Sequence, residues 1–327
     1  MKRLDEYWYH PNIFSLMLLP LSWIFCLIVL IRRQLYSLGV FTSVRLPVPV
    51  VIVGNITVGG SGKTPILIAL VHLLKQAGYK PGIISRGYGG QAKSWPQQVR
   101  TDSDPNMVGD EPVLIARNCQ APIAVGPDRV TAAQQLLQHH DCDIILSDDG
   151  MQHYALQRDI EIAVVDGIRR MGNGHCLPAG PLREPVKRLN EVDFIIANGL
   201  AMRMEYPMEI TATKLVNLKN GHSKPLSELK GIECHAIAGI GHPERFFNFL
   251  IKQGIPILKH PYADHFKYNA NDLNFDNDLP LLMTEKDAVK CSRYANENMW
   301  YMPVQAKLDE RFITRFLYML KKDSENK

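Results

Sequence analysis

No two of the six cysteines (Cys26, Cys119, Cys142, Cys176, Cys234 and Cys291) stand at CxxC spacing in the 327-residue chain. That excludes a zinc-ribbon or thiol-redox motif and a disulfide framework, and leaves reduced, mostly buried thiols. Excess charge of one sign is nearly missing too: the net charge is +4 and its basic residues are spread along the chain. Such a balance argues against a dedicated nucleic-acid surface, while a small positive excess suits an anionic membrane or substrate face. Internal repeats and low-complexity tracts are absent. What remains, at 46% hydrophobic and 21% charged residues, can bury a sizeable core in one large or two ordinary domains.

Charge is absent altogether from Pro11 to Ile31. Within that stretch IFSLMLLPLSWIFCLIVLI (Ile13 to Ile31) would cover about 28 Å as a helix, close to the hydrocarbon thickness of a bilayer. No A-x-A-like cleavage site follows, which disfavours a secretion signal. A spanning helix and a helix or helical hairpin lying in one leaflet both stay open. Pro20 is placed to bend the segment, Tyr7, Trp8, Tyr9 and Trp23 suit the headgroup level, and Arg32 and Arg33 would keep the following domain cytoplasmic. The competing reading is a soluble helix packed on the domain, but buried helices seldom run this long without charge. Residues 1–38 are therefore expected to form a cytoplasm-facing membrane anchor.

Immediately downstream, VVIVGNITVGGSGKTP (Val50 to Pro65) runs an apolar strand into a Gly-rich loop and on into an apolar helix, Ile66 to Gln76. This is the context of a phosphate-binding loop, whose backbone N–H groups and helix N-terminus cradle a phosphate chain. The nucleotide-binding set is Thr57, Val58, Gly59, Gly60, Ser61, Gly62, Lys63 and Thr64. Lys63 would place a charge near the β- and γ-phosphates, and the Thr64 hydroxyl would ligate Mg²⁺. Two signature residues are lacking: Thr57 replaces the usual first glycine, so Gly59 and Gly60 must supply the close approach, and Val58 stands where partitioning-type ATPases place a lysine. A GTPase is disfavoured because Thr284-Glu285-Lys286-Asp287 has its lysine at the wrong offset for base reading.

Apolar runs alternate with helical patterns from Gly82 to Ser85, Pro122 to Val125, Ile144 to Ser147, Ile160 to Val165 and Phe194 to Ala197. A second set follows at Cys234 to Ala238, Ile255 to His260, Leu281 to Thr284 and Met302 to Val304, before a closing helix near Asp309 to Leu320. The rhythm predicts an α/β fold, a P-loop α/β/α domain over 39–208 and a smaller α/β domain over 231–327, joined by a polar linker at 209–230.

Candidate chemistry falls in the intervening loops. Asp148 and Asp149 end an apolar strand as a Walker B pair does, and suit Mg²⁺ beside Thr64. Gly109-Asp110-Glu111-Pro112 puts two acids at a helix start, where they either favour the helix dipole or serve an acceptor hydroxyl or metal. His265, next to Asp264, is a candidate proton acceptor, with His153 a weaker rival. Arg86, Arg129 and Arg183 lie in Gly- and Pro-rich loops and can bind phosphoryl or anionic acceptor groups.

Taken in order, NITVGGSGKTP, SRGYGG, GDEP, GPDR, SDDGMQH, LPAGPLREP, AGIGHPERF, DHF and TEKDAVK resemble the tetraacyldisaccharide 4'-kinase family, the lipid A 4'-kinases of Gram-negative bacteria. The resemblance implies a membrane-associated enzyme of the cytoplasmic face of the inner membrane that uses ATP and Mg²⁺. It implies as acceptor an anionic acylated disaccharide lipid, tetraacyldisaccharide 1-phosphate, and as product a lipid A precursor. Neither nucleic acid nor an obligate protein partner is implied. By the same resemblance Asp110 and His265 form a catalytic pair; Ser61, Lys63 and Thr64 bind phosphate and metal. Asp148 and Asp149 serve Mg²⁺, Glu111 and Arg129 line the reaction centre, and the site lies in the cleft between two α/β/α domains.

Overall fold

The computed structural model describes residues 4–10 and 12–325; the start of the uncharged stretch, Pro11, and residues 1–3 lie outside them. Near the amino terminus a short helix, α1 (Ile13–Met17), is followed by α2 (Leu19–Ser37). Pro20, expected mid-segment as a bend, instead occupies the first turn of α2, where its missing N–H leaves no intrahelical bond unmade. The inward face of α2 repeats at helical spacing. Ser22 Oγ donates to Cys176 O at 2.7 Å, Phe25 and Cys26 pack on the core, and Arg33 pairs with Glu191. Its other face leaves Leu21, Trp23, Ile24, Leu27 and Ile31 half or more exposed.

Two sheets follow. The larger has nine strands among the described residues: β1 (Val50–Gly54), β2 (Pro81–Ser85), β3 (Gln97–Gln98), β4 (Ile123–Val125), β5 (Ile144–Asp148), β6 (Ile160–Asp166), β7 (Phe194–Asn198), β8 (Tyr206–Thr211) and β15 (Gln305–Leu308). Their order is β15-β8-β7-β6-β1-β5-β2-β4-β3, parallel except for the two edges. The smaller sheet runs β10-β9-β14-β13-β11-β12. It comprises β9 (Lys214–Asn217), β10 (Ser223–Pro225), β11 (Cys234–Ala238), β12 (Ile257–Pro261), β13 (Leu281–Thr284) and β14 (Met299–Met302).

Strand β1 lies between β5 and β6 and is buried on both faces, which is why it reads as a continuous apolar run. Val51 and Val53 enter the core beneath α3 (Lys63–Gln76), while Val50 and Ile52 enter the core on the opposite face. Similar two-sided packing holds the smaller sheet: Ala236 and Ala238 face Phe246, Phe247 and Leu250, and Ile237 faces Ala288 and Cys291.

The sheets divide the chain differently from the expected boundaries. The polar stretch 209–230, expected as a linker, carries the end of β8 and all of β9 and β10. Its strands are short and exposed on at least one side, so they lack an apolar signature. The last segment, expected in the smaller domain, returns to the larger sheet. There β15 pairs antiparallel with β8, and α6 (Glu310–Glu325) buries Phe312, Phe316 and Leu320, one helical face, against Phe194.

Candidate active site

Both lobes present the carboxyl ends of their parallel strands to one cleft, the usual place for ligands in open α/β sheets. From the large lobe come the loop after β1, Arg86 after β2, and Asp148 and Asp149 at the end of β5. From the small lobe come Ile240 to His242 after β11, Asp264 and His265 after β12, and Lys286 after β13. The cleft holds about 1710 Å³, and α2 contributes Phe25, Ile28, Val29 and Arg32 to its wall.

Gly62 adopts φ +96 as the residue before α3, and a β-carbon there would lie 2.6 Å from Asn198 Nδ2. Only glycine fits both constraints. Asn198 Nδ2 donates to Ser61 O at 3.1 Å, and Lys63 Nζ lies 3.2 Å from Asn55 Oδ1 and 3.5 Å from Asp149 Oδ1. Thr57 and Val58, grouped with the cradle on sequence grounds, are drawn to the strap before Arg183. Thr57 bridges Leu182 and Val58 N–H donates to Pro181 O at 2.8 Å. Val58 still lines the cleft with Gly59 to Thr64, yet its N–H is spent.

The Walker B acids occupy opposite electrostatic states. Asp148 is buried; Ser85 Oγ donates to its Oδ2 at 3.0 Å, and its Oδ1 has no partner among the described residues. Burial, together with Glu111 and Asp149, pushes its carboxyl up to about 7. Asp149, in the left-handed region at φ +48, is half-buried, and Lys63, Arg183 and Arg129 outweigh the desolvation penalty and hold it at about 2. Arg183 Nη1 reaches both Asp149 oxygens, at 2.8 and 3.0 Å. Arg129, buried behind the wall, donates to the carbonyl of Asp149 at 2.9 Å. Arg86 is exposed at the rim.

A divalent cation fits these residues. Asp148 offers an orphaned buried oxygen beside a phosphate cradle, with Thr64 and Glu111 on the same wall. Among the described residues no three His, Cys, Asp or Glu form a preformed cage. Mg²⁺ characteristically binds this way, through one or two carboxylates with substrate phosphates and water.

Across the seam His265, at φ +59, places Nδ1 3.1 Å from Asp110 Oδ2 although 155 positions separate the two residues. Asp110 begins α4 (Asp110–Cys119) and is 6% exposed; burial resists its ionisation, but His265 and Lys286 bring it down to about 2. The hydrogen bond to Asp110 raises His265 above the usual histidine value, against burial and Lys286. Asp110, not the neighbouring Asp264, is the acid that orients the ring; Asp264 Oδ1 lies 3.8 Å from Nε2. His153 stands 3.9 Å from Asp128, outside the cleft lining, and burial with Arg129 lowers it to about 4.

A model of the tetraacyldisaccharide-1-P 4'-kinase family matches residues 14–321. The chain belongs to this family. Among curated family members, the tetraacyldisaccharide 4'-kinase of Nitrosococcus oceani is 50% identical over 98% of this chain and 95% of its own length. That of Ruthia magnifica is 46% identical over 93% and 96%. A solved structure of the family, LpxK from Aquifex aeolicus in complex with ATP, superposes with a TM-score of 0.78 at 28% identity, covering 94% of this chain and 99% of that one.

Several residues at this cleft carry no assigned role from sequence alone. Lys286 sits among Glu111, Asp264 and His265, and Asn55 and Asn198 brace the phosphate loop. Gly241 approaches so closely that a β-carbon there would meet Gly60 N at 2.9 Å. For Lys286 a signal existed: it follows directly on a buried parallel strand, where ligand-contacting loops begin.

Proposed function

We propose that the protein transfers the γ-phosphoryl group of ATP to the 4'-hydroxyl of tetraacyldisaccharide 1-phosphate, yielding a tetraacylated lipid A precursor. The contact between His265 and Asp110, joining the two lobes beside a phosphate-binding loop, carries this reading. An ionised carboxylate only accepts hydrogen bonds, so His265 Nδ1 is the donor and Nε2 keeps its lone pair for the sugar hydroxyl. As that proton moves to Nε2, the hydroxyl oxygen bonds to the γ-phosphorus in line and the bond to the bridging oxygen breaks, releasing ADP. Lys63 and the N–H groups from Gly59 to Thr64 offset charge on the phosphoryl oxygens, while Arg129 braces the Walker B turn from behind. Asp148 is the acid we assign as direct Mg²⁺ ligand, with Thr64 beside it and Asp149 and Glu111 outside them. Bound there, Mg²⁺ supplies charge neutralisation at the β- and γ-oxygens. Arg86 and Arg183 are assigned to the anionic acceptor.

We further infer that α2 lies in the headgroup region of the cytoplasmic leaflet and does not cross the bilayer. Its docked face engages the large lobe from Ser22 to Tyr36, and a helix held lengthwise against a water-soluble domain cannot run through the hydrocarbon. The same helix forms part of the cleft wall, which supports acceptor entry directly from the membrane surface.

The decisive experiment supplies γ-labelled ATP, Mg²⁺ and detergent-dispersed tetraacyldisaccharide 1-phosphate. Label is expected in the lipid; phosphate release without lipid label would instead indicate a membrane-bound ATPase.

A further inference from the structure

Thr284 caps α5 (Glu285–Cys291), accepting the Asp287 N–H, so Lys286 is carried on an anchored first turn. Its side chain is 14% exposed. The ammonium lies 3.0 Å from Glu111 Oε1 on the large lobe and 3.2 Å from Asp264 Oδ1 on the small lobe, 3.9 Å from Asp110 Oδ2 and 3.4 Å from His265 Nε2. Three carboxylates therefore converge on one cation at the seam.

The contact with Nε2 has only one hydrogen-bonding sense. An ammonium has donors and no acceptor, and with Nδ1–H committed to Asp110 the other ring nitrogen offers only a lone pair. Lys286 thus donates to the lone pair that the acceptor hydroxyl needs. Because an ammonium has three N–H donors, giving up Nε2 leaves Lys286 bonded to Glu111 and Asp264, and the seam remains neutralised.

We propose that Lys286 is a positioning residue: it aligns His265 with Asp110 across the lobes and occupies the Nε2 lone pair until the acceptor hydroxyl displaces it. This rests on the assignment of His265 as proton acceptor. A lysine serving only to neutralise the seam would not act through His265, and that difference is measurable.

The test compares Lys286→Met, Lys286→Arg, His265→Ala and the double variant His265→Ala/Lys286→Met in the full chain. Lipid transfer, lipid-independent ATP hydrolysis, the KM for ATP and thermal stability are measured for each. In Lys286→Met, kcat for transfer is expected to fall about tenfold or more while the KM for ATP stays within about twofold. Hydrolysis relative to transfer is expected to rise, because water gains access to Nε2. Lys286→Arg should recover part of the transfer rate, and the double variant should be no slower than His265→Ala alone. Wild-type transfer by Lys286→Met, an unchanged ratio of hydrolysis to transfer, or losses that multiply in the double variant would each overturn the inference. Wild-type activity in His265→Ala would instead overturn the assignment of the base, and the inference with it. Should Lys286→Met fail to fold, Lys286→Gln takes its place in the same cycle.

Discussion

At the scale of single residues, the proposed chemistry rests on carboxylates and a histidine held in unlike states by their surroundings. Replacing His265 or Asp110 with alanine should each slow lipid transfer by about a hundredfold or more if they handle the hydroxyl proton. Since Asp110 raises the His265 value above the ordinary 6.5, the imidazolium and its pairing with Asp110 are fully present below that pH and are lost as pH rises through the raised value. A proton acceptor must be neutral, so kcat/KM for lipid should climb with pH along a limb centred above 6.5. Asp110→Asn should shift that limb downward; an unmoved limb would separate Asp110 from His265. Asp148 follows the same sign for a different reason, since burial favours its neutral form. Its folded value of about 7 exceeds the ordinary 3.8, so between those limits the folded state holds a proton that the unfolded chain has released, and stability falls as pH rises. Asp148→Asn should therefore raise the melting temperature above pH 7 in chelator while weakening Mg²⁺-dependent transfer. A lower melting temperature would refute the buried-acid reading. Asp110 and Glu111 illustrate what was legible at this scale: the acids at a helix start read equally as dipole partners, and only the approach of His265 and Lys286 from the other lobe distinguishes them.

Among the elements, the turn from β1 into α3 and the helix α2 each depend on a local pattern that the sequence displays openly. Gly62→Ala would force a left-handed alanine, itself about 1–2 kcal/mol unfavourable, against Asn198 Nδ2. ATP affinity should fall at least tenfold, measurable by calorimetry, with the lipid-binding elements intact. The outward face of α2 offers a second test. Leu21→Asp with Leu27→Asp changes only exposed positions, so the fold should persist while sedimentation with anionic vesicles declines severalfold. Undiminished vesicle binding would remove α2 from the membrane contact. Periodicity revealed α2 and β1 because both carry long apolar signals. The short strands β9 and β10 stayed hidden, since sheet pairing rather than apolar burial on both faces holds them in place.

On the scale of the whole molecule, two sheets aim the ends of their parallel strands at one another, and the second lobe closes over the phosphate loop with little room to spare. Gly241→Ala would bring a β-carbon to 2.9 Å from Gly60 N, a backbone atom with no side chain to swing aside. The lobes should then sit further apart and kcat fall about tenfold with a small change in melting temperature; full turnover would show that this approach is not needed for catalysis. From sequence alone came the phosphate loop, the Walker B pair, the apolar segment, the α/β rhythm and, through its run of motifs, the family. Each is encoded within a few neighbouring residues, where glycine freedom, strand burial and helical spacing leave a local record. Tertiary structure alone decided that Val58 lends its N–H to Pro181, that the carboxyl-terminal helix crosses back to the large sheet, and that Lys286, beside His265, meets Glu111 across 175 positions of chain. Those facts depend on which surfaces meet, and a periodic pattern shows that a face is buried without naming its partner.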